Sequence, residues 1–392
     1  DFGKPIFIYY TASTNNGVSW TKPINLSNDE TGNGSGPPCI IQDGSGVVYA
    51  IWKRFGNKGS KYPSPDVTLE GKGGYGNGTL YYKALKNGQW SQQFAVAEEI
   101  GSQFSWFPFL DQKGQLYVCW NEVSPESVAN NWLTWYYADW IRFGMLSSTG
   151  VTGRTEIAKP AMPKYKGGAP PENGVINLHG YADENGNVHY IYTKKDTDKT
   201  QRIYYYDGKK HEAVYSYPLY KEGNNFMNPP RLLHDEKGTD HILFVPSPST
   251  LDAEQVWDYM PATKQRNVLA SIQKKGVSIS NFQAIQGPGG KMAAVIHAGD
   301  VIDSKEAYGF FYDSGKWDKR GLTKNAAKNN FIYAQLSPLA YLTSLTTYST
   351  THASVAYTKD GKKRMTITLS AKTSMGGFSL NNPSIIFLNL DK

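Results

Sequence analysis

The chain has 392 residues, 39% of them hydrophobic, with 39 Gly, 21 Pro, 27 Tyr, 16 Phe and 10 Trp and a formal net charge of +7. No apolar run reaches the roughly 18 residues of a membrane-spanning helix, and the basic residues are dispersed rather than gathered in tracts. The composition thus excludes a helical membrane protein and a basic nucleic-acid arm. It leaves a solvated surface with a mild bias towards acidic partners, for which polyanionic glycans are as plausible as nucleic acid.

In chain order, residues 5–27 read as a hairpin, Pro5–Ala12 then Ser19–Ser27. The chain opens on strand-like sequence, so an export signal removed ahead of it is compatible with a secreted, periplasmic or cell-surface protein. A unit then begins that recurs: IIQDGSGVVYAIW at Ile40–Trp52, FPFLDQKGQLYVCW at Phe107–Trp120, NLHGYADENGNVHYIYT at Asn177–Thr193 and RLLHDEKGTDHILF at Arg231–Phe244. Each has Asp, two residues, Gly, then an apolar-aromatic strand. Asp favours the turn through local side-chain bonds, and Gly accepts its positive φ. A weaker copy at Phe282–His297 has Gln286 for the Asp. No long stretch has helical periodicity; Leu251–Tyr259 and Ser304–Tyr308 have room for a turn or two of helix at most.

A strand-only repeat of roughly 50 to 70 residues predicts an all-β fold, a β-propeller of four-stranded antiparallel blades. The expected single domain, 1–392, has blades at about 37–99, 104–160, 172–220, 227–272, 279–324 and 330–390, with 5–27 as part of a closing blade. Seven blades are favoured, with six as the alternative. Cys39 and Cys119 lack metal-ligand spacing and read as buried free thiols.

Ser13-Thr14-Asn15-Asn16-Gly17-Val18-Ser19-Trp20 resembles the Asp-box of sialidase-like, BNR-repeat propellers, with Asn15 at the Asp position. Asn87-Gly88-Gln89-Trp90 and Ser314-Gly315-Lys316-Trp317 are degenerate relatives, and Tyr206–His211 holds the same place without a Trp. Such boxes are architecture. The whole chain resembles that superfamily, and 177–244 is loosely similar to propeller polysaccharide lyases through the hairpin Tyr204–Lys209 and the strand entry Asn228-Pro229-Pro230-Arg231. The resemblance implies that the starts of the first strands and the ends of the second strands, with the loops that follow, lie at one functional face.

Four residues before the turn Asp stand Cys39, Phe107, His179 and Arg231, and Phe282 precedes Gln286 likewise; His179 and Arg231 are the polar exceptions. Second strands end in Trp52-Lys53-Arg54, Trp120-Asn121-Glu122, Tyr192-Thr193-Lys194 and His297-Ala298-Gly299-Asp300. The long Lys53–Thr79 loop and the aromatic WLTWYYADW run follow two of them. A sialidase would carry an arginine triad and an Arg-Ile-Pro motif. This chain has eight arginines and only Lys4-Pro5-Ile6, so sialidase activity is not expected.

Lyase chemistry on a uronate needs a base, a carboxylate neutraliser and an acid. The catalytic candidates are His179 or His297 as base, Arg231 or Arg54 as neutraliser and Tyr181 or a rim tyrosine as acid. Arg54, Trp52, Trp106, Trp120, Glu122 and Tyr192 are the substrate-binding candidates, since aromatic rims stack on sugars. The competing reading is a non-catalytic glycan- or protein-binding propeller of a cell surface or extracellular assembly. A hydrolase using Glu122 and Asp300 is a third. The partner class is polysaccharide or glycan, without nucleic acid. No cofactor or catalytic metal is implied, although Asp196, Asp198, Asp300 and Asp303 are acids that a structural calcium could use.

Overall fold

The structure, a computed structural model, describes residues 7–14, 19–27, 38–55, 78–100, 106–111, 113–123, 138–158, 176–183, 185–195, 200–218, 229–246, 254–272, 277–300, 306–321, 346–357, 363–375 and 378–389. Every regular element among them is a β-strand except a single 3₁₀ turn, Pro288–Gly290. Residue contacts divide the chain into two units, 1–219 and 220–392.

Unit one opens with the short pair β1 (Tyr9–Tyr10) and β2 (Ile24–Asn25). The first sheet has β3 (Cys39–Gln42), β4 (Val48–Phe55) and β5 (Gly78–Lys86), with β6 (Gln89–Trp90) and β7 (Phe94–Ile100) both pairing β5. The second runs β8 (Trp106–Leu110), β9 (Leu116–Val123), β10 (Ala138–Ser147) and β11 (Gly150–Ala158), joined to the first where Ile100 pairs Glu122. The third is the meander β12 (Ile176–Ala182), β13 (Val188–Lys195), β14 (Thr200–Tyr206) and β15 (His211–Pro218).

Unit two has the meander β16 (Arg231–His234), β17 (Asp240–Phe244), β18 (Glu254–Met260) and β19 (Gln265–Ile272). Another follows: β20 (Val277–Gln286), β21 (Met292–Asp300), β22 (Glu306–Asp313) and β23 (Lys316–Gly321). A three-stranded sheet closes the described chain: β24 (Thr346–Tyr357), β25 (Lys363–Met375) and β26 (Phe378–Asn389). Successive four-stranded antiparallel meanders are the blades of an all-β propeller architecture. Leu251–Tyr259 and Ser304–Tyr308 yield no helical turn among their described residues, because β18 and β22 there are paired on both sides.

The Asp-x-x-Gly turns explain how each sheet begins. Asp43 Oδ1 accepts the N–H groups of Ser45 and Val47, both at 2.9 Å. Asp183 does the same for Asn185 and Asn187 at 2.9 and 2.8 Å, and Asp235 for Lys237 and Thr239 at 2.9 and 2.8 Å. Burial pushes the Asp183 and Asp235 carboxyls up, but the Asn187 and Thr239 side chains, these N–H donors and the neighbouring His189 and His241 together outweigh it and hold both below their ordinary value. Gln286 has another task. Its side-chain oxygen accepts the His234 N–H at 2.9 Å and its amide donates to the His234 carbonyl at 2.8 Å. The Gln thus ties β20 to the end of β16, and the longer reach of its side chain accounts for the substitution.

The turns of the first and second sheets also touch. Gly44 N–H donates to the Gly114 carbonyl at 2.8 Å. A Cβ on Gly114, whose φ is +75°, would come within 2.6 Å of the Gly44 Cα, whereas one on Gly186, at φ +80°, would meet nothing within 4 Å. Gly114→Ala is therefore expected to cost about 2–4 kcal/mol, combining left-handed strain with a backbone clash. Gly186→Ala should cost about 1–2 kcal/mol, the strain alone. Urea midpoints of the two variants check this; equal losses would deny the contact its role.

Between the sheets lie apolar columns. One cluster joins Val47, Tyr49 and Ile51 to Leu80, Tyr82, Leu116, Val118 and Trp120. A second joins Phe107, Phe109 and Cys119 to Leu178, Tyr190 and Tyr192. A third, in unit two, joins Leu233 and Leu243 to Met292, Ala294, Ile296 and Phe310. Both cysteines are free. Burial pushes both thiols up, Cys39 to about 11, so neither is poised as a nucleophile.

The hairpins between third and fourth strands carry aromatic plugs. Trp90 lies edge-on to Tyr10 at 4.9 Å and Trp317 to Tyr312 at 5.2 Å. In the third sheet His211 fills that place, 4.7 Å from Tyr206, with its two ring nitrogens each 3.1 Å from the hydroxyls of Tyr190 and Tyr192. Burial lowers its pKa. Of the Asp-box-like stretch, Asn15–Val18 lies outside the described residues, and Trp20 is 49% exposed.

Candidate functional site

The start of β12 is irregular where the sequence places its odd histidine. Ile176 pairs Thr193 and His179 pairs Ile191, so one extra residue bulges between the two pairs. Asn177 accommodates it in the left-handed region, at φ 57°, where Asn is tolerated better than most residues. It is buried, and its side-chain amide donates to Thr193 Oγ1 at 3.1 Å. Bulges of this kind re-aim side chains and gather near functional sites. The half-buried His179 ring is thereby laid over Phe107 of β8, with centroids 5.3 Å apart and planes at 29°. Phe107 and His179 hold the same place in consecutive repeats, four residues before the turn Asp, so this place forms a contact line between the second and third sheets.

Tyr181 shares a strand face with His179 but is 9% exposed, its ring stacked on His189 at 5.1 Å. Gly180 between them lies hard against β13: a Cβ there would fall on the His189 carbonyl oxygen. Glycine is required for the two strands to approach so closely.

In unit two, Arg231 opens β16 behind Pro229 and Pro230, both buried. Its Nη1 donates to the Pro230 carbonyl at 3.2 Å. Among the described residues no carboxylate lies within ion-pair distance of it. Burial pushes its pKa down to about 10, which still leaves it charged at neutral pH. His297 lies in β21, paired through its backbone with Ser280, and a register shift follows between Ser280 and Gln283. The side chains of His297 and Glu122 lie outside the described residues.

The rim aromatics serve packing. Trp52, Trp120 and Tyr192 are 1%, 1% and 3% exposed. Trp52 packs with Ile8 and Leu26, Trp120 in the column shared by the first and second sheets, and Tyr192 in that shared by the second and third. Trp106, at the start of β8, is half-buried, packs against the first of these columns and pairs with Trp120 across the strands. Arg54 is half-buried on β4, opposite Thr79. Thus the structure joins His179 to Phe107, and it joins Asn177 to Thr193.

Two buried polar groupings escape a reading by residue type. One is Lys53, Asn121 and Thr193, at 1%, 0% and 0% exposure. Their signal was present in the sequence as a common spacing after the turn glycine. The other is His241 of β17, whose Nδ1 lies 2.9 and 3.0 Å from the two oxygens of Asp258. Trp317 Nε1 donates to the same carboxylate at 2.8 Å, and Asp235 Oδ2 stands 3.9 Å from His241 Nε2. An Asp–His–Asp row has the composition of a proton relay, but His241 and Asp258 are 2% and 0% exposed, so it reads as a structural tie. Among the described residues no group of three His, Cys, Asp or Glu is placed to hold a metal ion, and no helix is long and apolar enough to cross a membrane. Asp196, Asp198 and Asp303 lie outside the described residues.

No protein-family model and no curated protein matches the chain. Solved structures do. A Hadza microbial sialidase is 10% identical with a TM-score of 0.43, over 91% of this chain and 66% of that one. A polysaccharide lyase is 11% identical with a TM-score of 0.37, over 73% and 58%. The α-L-arabinofuranosidase of Fusarium graminearum, in complex with an iminosugar inhibitor, is 11% identical with a TM-score of 0.43, over 98% of both chains. The chain spans less than two thirds of the length of the sialidase and of the lyase. Identities this low carry no activity from one chain to the other.

Proposed function

We propose that this propeller acts on an acidic polysaccharide by β-elimination. The observation that carries the reading is Arg231, a half-buried residue whose guanidinium has a backbone carbonyl as its one partner among the described residues. A buried cation is costly unless an anion compensates it, and a uronate carboxylate is an anion of suitable size and planarity for a guanidinium. In the reaction, a base removes the proton beside the carboxyl group. That electron pair becomes the new C=C bond, and the glycosidic oxygen departs with a proton from an acid. Unit one offers His179 as base, Arg54 as neutraliser and Tyr181 as acid; unit two offers His297 as base and Arg231 as neutraliser. A secreted or cell-surface setting suits such a substrate.

The competing reading, a propeller that binds glycan without cleaving it, is favoured by one detail. Tyr181 is 9% exposed and stacked on His189, poorly placed to protonate a leaving group.

The test is Arg231→Met, titrated calorimetrically with tetragalacturonate and with its carboxyl-reduced counterpart. Loss of a charge-assisted pair should weaken the acidic probe about 10- to 100-fold and leave the neutral one unchanged, with the circular dichroism of the wild type. Equal affinities of variant and wild type for the acidic probe would remove Arg231 from the reading.

A further inference from the structure

Four non-glycine residues among those described have a positive φ: Asn87, Asn177, Lys264 and Ser314. Asn87, Lys264 and Ser314 are exposed and lie in hairpins between third and fourth strands, where tight turns call for a left-handed residue. Asn177 is different. It lies inside β12, two residues before His179, and is 2% exposed. A left-handed residue within a strand is strained and persists only where its surroundings hold it, and such outliers gather at active sites.

The surroundings of Asn177 hold it in two ways. Asn177 and Leu178 together stand opposite Tyr192 alone, between the pairs Ile176–Thr193 and His179–Ile191. Successive side chains of a strand point to opposite faces. Leu178 enters the column that contains Phe107 and Tyr192, while the Asn177 amide donates to Thr193 Oγ1 at 3.1 Å. From His179 to Ala182 the ladder is regular again. His179 is thus the first residue beyond the bulge, and a bulge bends its strand and raises the local twist. Its ring ends 5.3 Å from that of Phe107. Glycine would take the same φ without strain, so the backbone alone does not call for asparagine. The amide is what glycine lacks.

We propose that Asn177 is a positioning residue for His179. Its left-handed backbone makes the bulge, and its amide, tied to Thr193, fixes the bend, so that the imidazole is held over Phe107 in one orientation. Being buried, Asn177 acts through His179 and not on the substrate. The role rests on the reading of His179 as base.

Asn177→Gly keeps the left-handed backbone and removes the amide. Thr193→Val removes the acceptor at nearly constant volume, and Thr193→Ser retains it. The His179 ring is followed by NMR of protein carrying isotope-labelled histidine, its signal identified by its absence from His179→Phe. The ring current of Phe107 shifts that signal, and Phe107→Leu gives its position without the stack. In Asn177→Gly and in Thr193→Val the signal should move towards that position. Their kcat on a uronate polysaccharide should fall about tenfold to 100-fold, with KM within twofold of wild type. Thr193→Ser should keep the wild-type signal and kcat. If the glycine variant does not fold, Thr193→Val decides alone. A lowered unfolding temperature with signal and kcat unmoved would overturn the role and leave Asn177 purely structural, and an equal loss in Thr193→Ser would overturn it too. A wild-type protein that forms no unsaturated product would overturn the reading of His179 as base, and the NMR signal then decides the positioning by itself.

Discussion

Replacing His179 by alanine is expected to lower turnover of a uronate polysaccharide by about 10²- to 10⁴-fold, the usual contribution of a general base, with little change in stability. The ring is half-buried and stacked on Phe107 at 5.3 Å, so truncation opens a shallow gap rather than a core cavity. His179→Phe separates chemistry from packing. It restores an aromatic ring against Phe107 but offers no nitrogen, so it should unfold like the wild type and turn over like the alanine variant. Rescue of turnover by phenylalanine would assign His179 to packing. Turnover is measured under saturating substrate and unfolding by circular dichroism.

The largest expected effect on stability lies at Asp258. It is fully buried, with two oxygens on the His241 ring and a third contact from Trp317 Nε1 at 2.8 Å. Asp258→Ala leaves an imidazole and an indole N–H without their acceptor inside a dry sheet. Each buried donor left without its acceptor costs about 1–3 kcal/mol, so with two of them the denaturant midpoint should fall accordingly. Affinity for acidic oligosaccharide in the folded protein should be retained, because His241 sits at the turn end of the β16–β17 hairpin and Arg231 at the other. A loss below about 1 kcal/mol, the worth of an ordinary neutral bond, would show that the row carries no strong tie.

The repeat was legible because turn chemistry is local. Asp43, Asp111, Asp183 and Asp235 each bond N–H groups within four residues of themselves, and each turn glycine takes the positive φ its place requires. Gln286 looked like a degraded Asp because its true partner, His234, lies 52 residues away, and no short window contains both. By residue type His211 looks like a missing Trp, but an imidazole bonded to two tyrosines fills the same space.

The rim was harder. Trp52, Trp120 and Tyr192 alternate with Lys53, Asn121 and Thr193 along their strands. Which of two alternating faces is dry depends on the neighbouring sheet, a tertiary fact. Residue type alone points to the aromatic face for sugar stacking, whereas those rings are buried against other sheets. His179 stood out because its repeat partners are mostly apolar. The Asn177 bulge that presents it has no such signature, since a single Asn in β12 does not mark a bulge.

The most direct test of the central claim is absorbance of the unsaturated uronate product during incubation with a panel of acidic polysaccharides. Elimination predicts that absorbance rises with the wild-type protein on at least one of them and stays flat with His179→Ala. New reducing ends without that absorbance, or a rise undiminished in the variant, would contradict it.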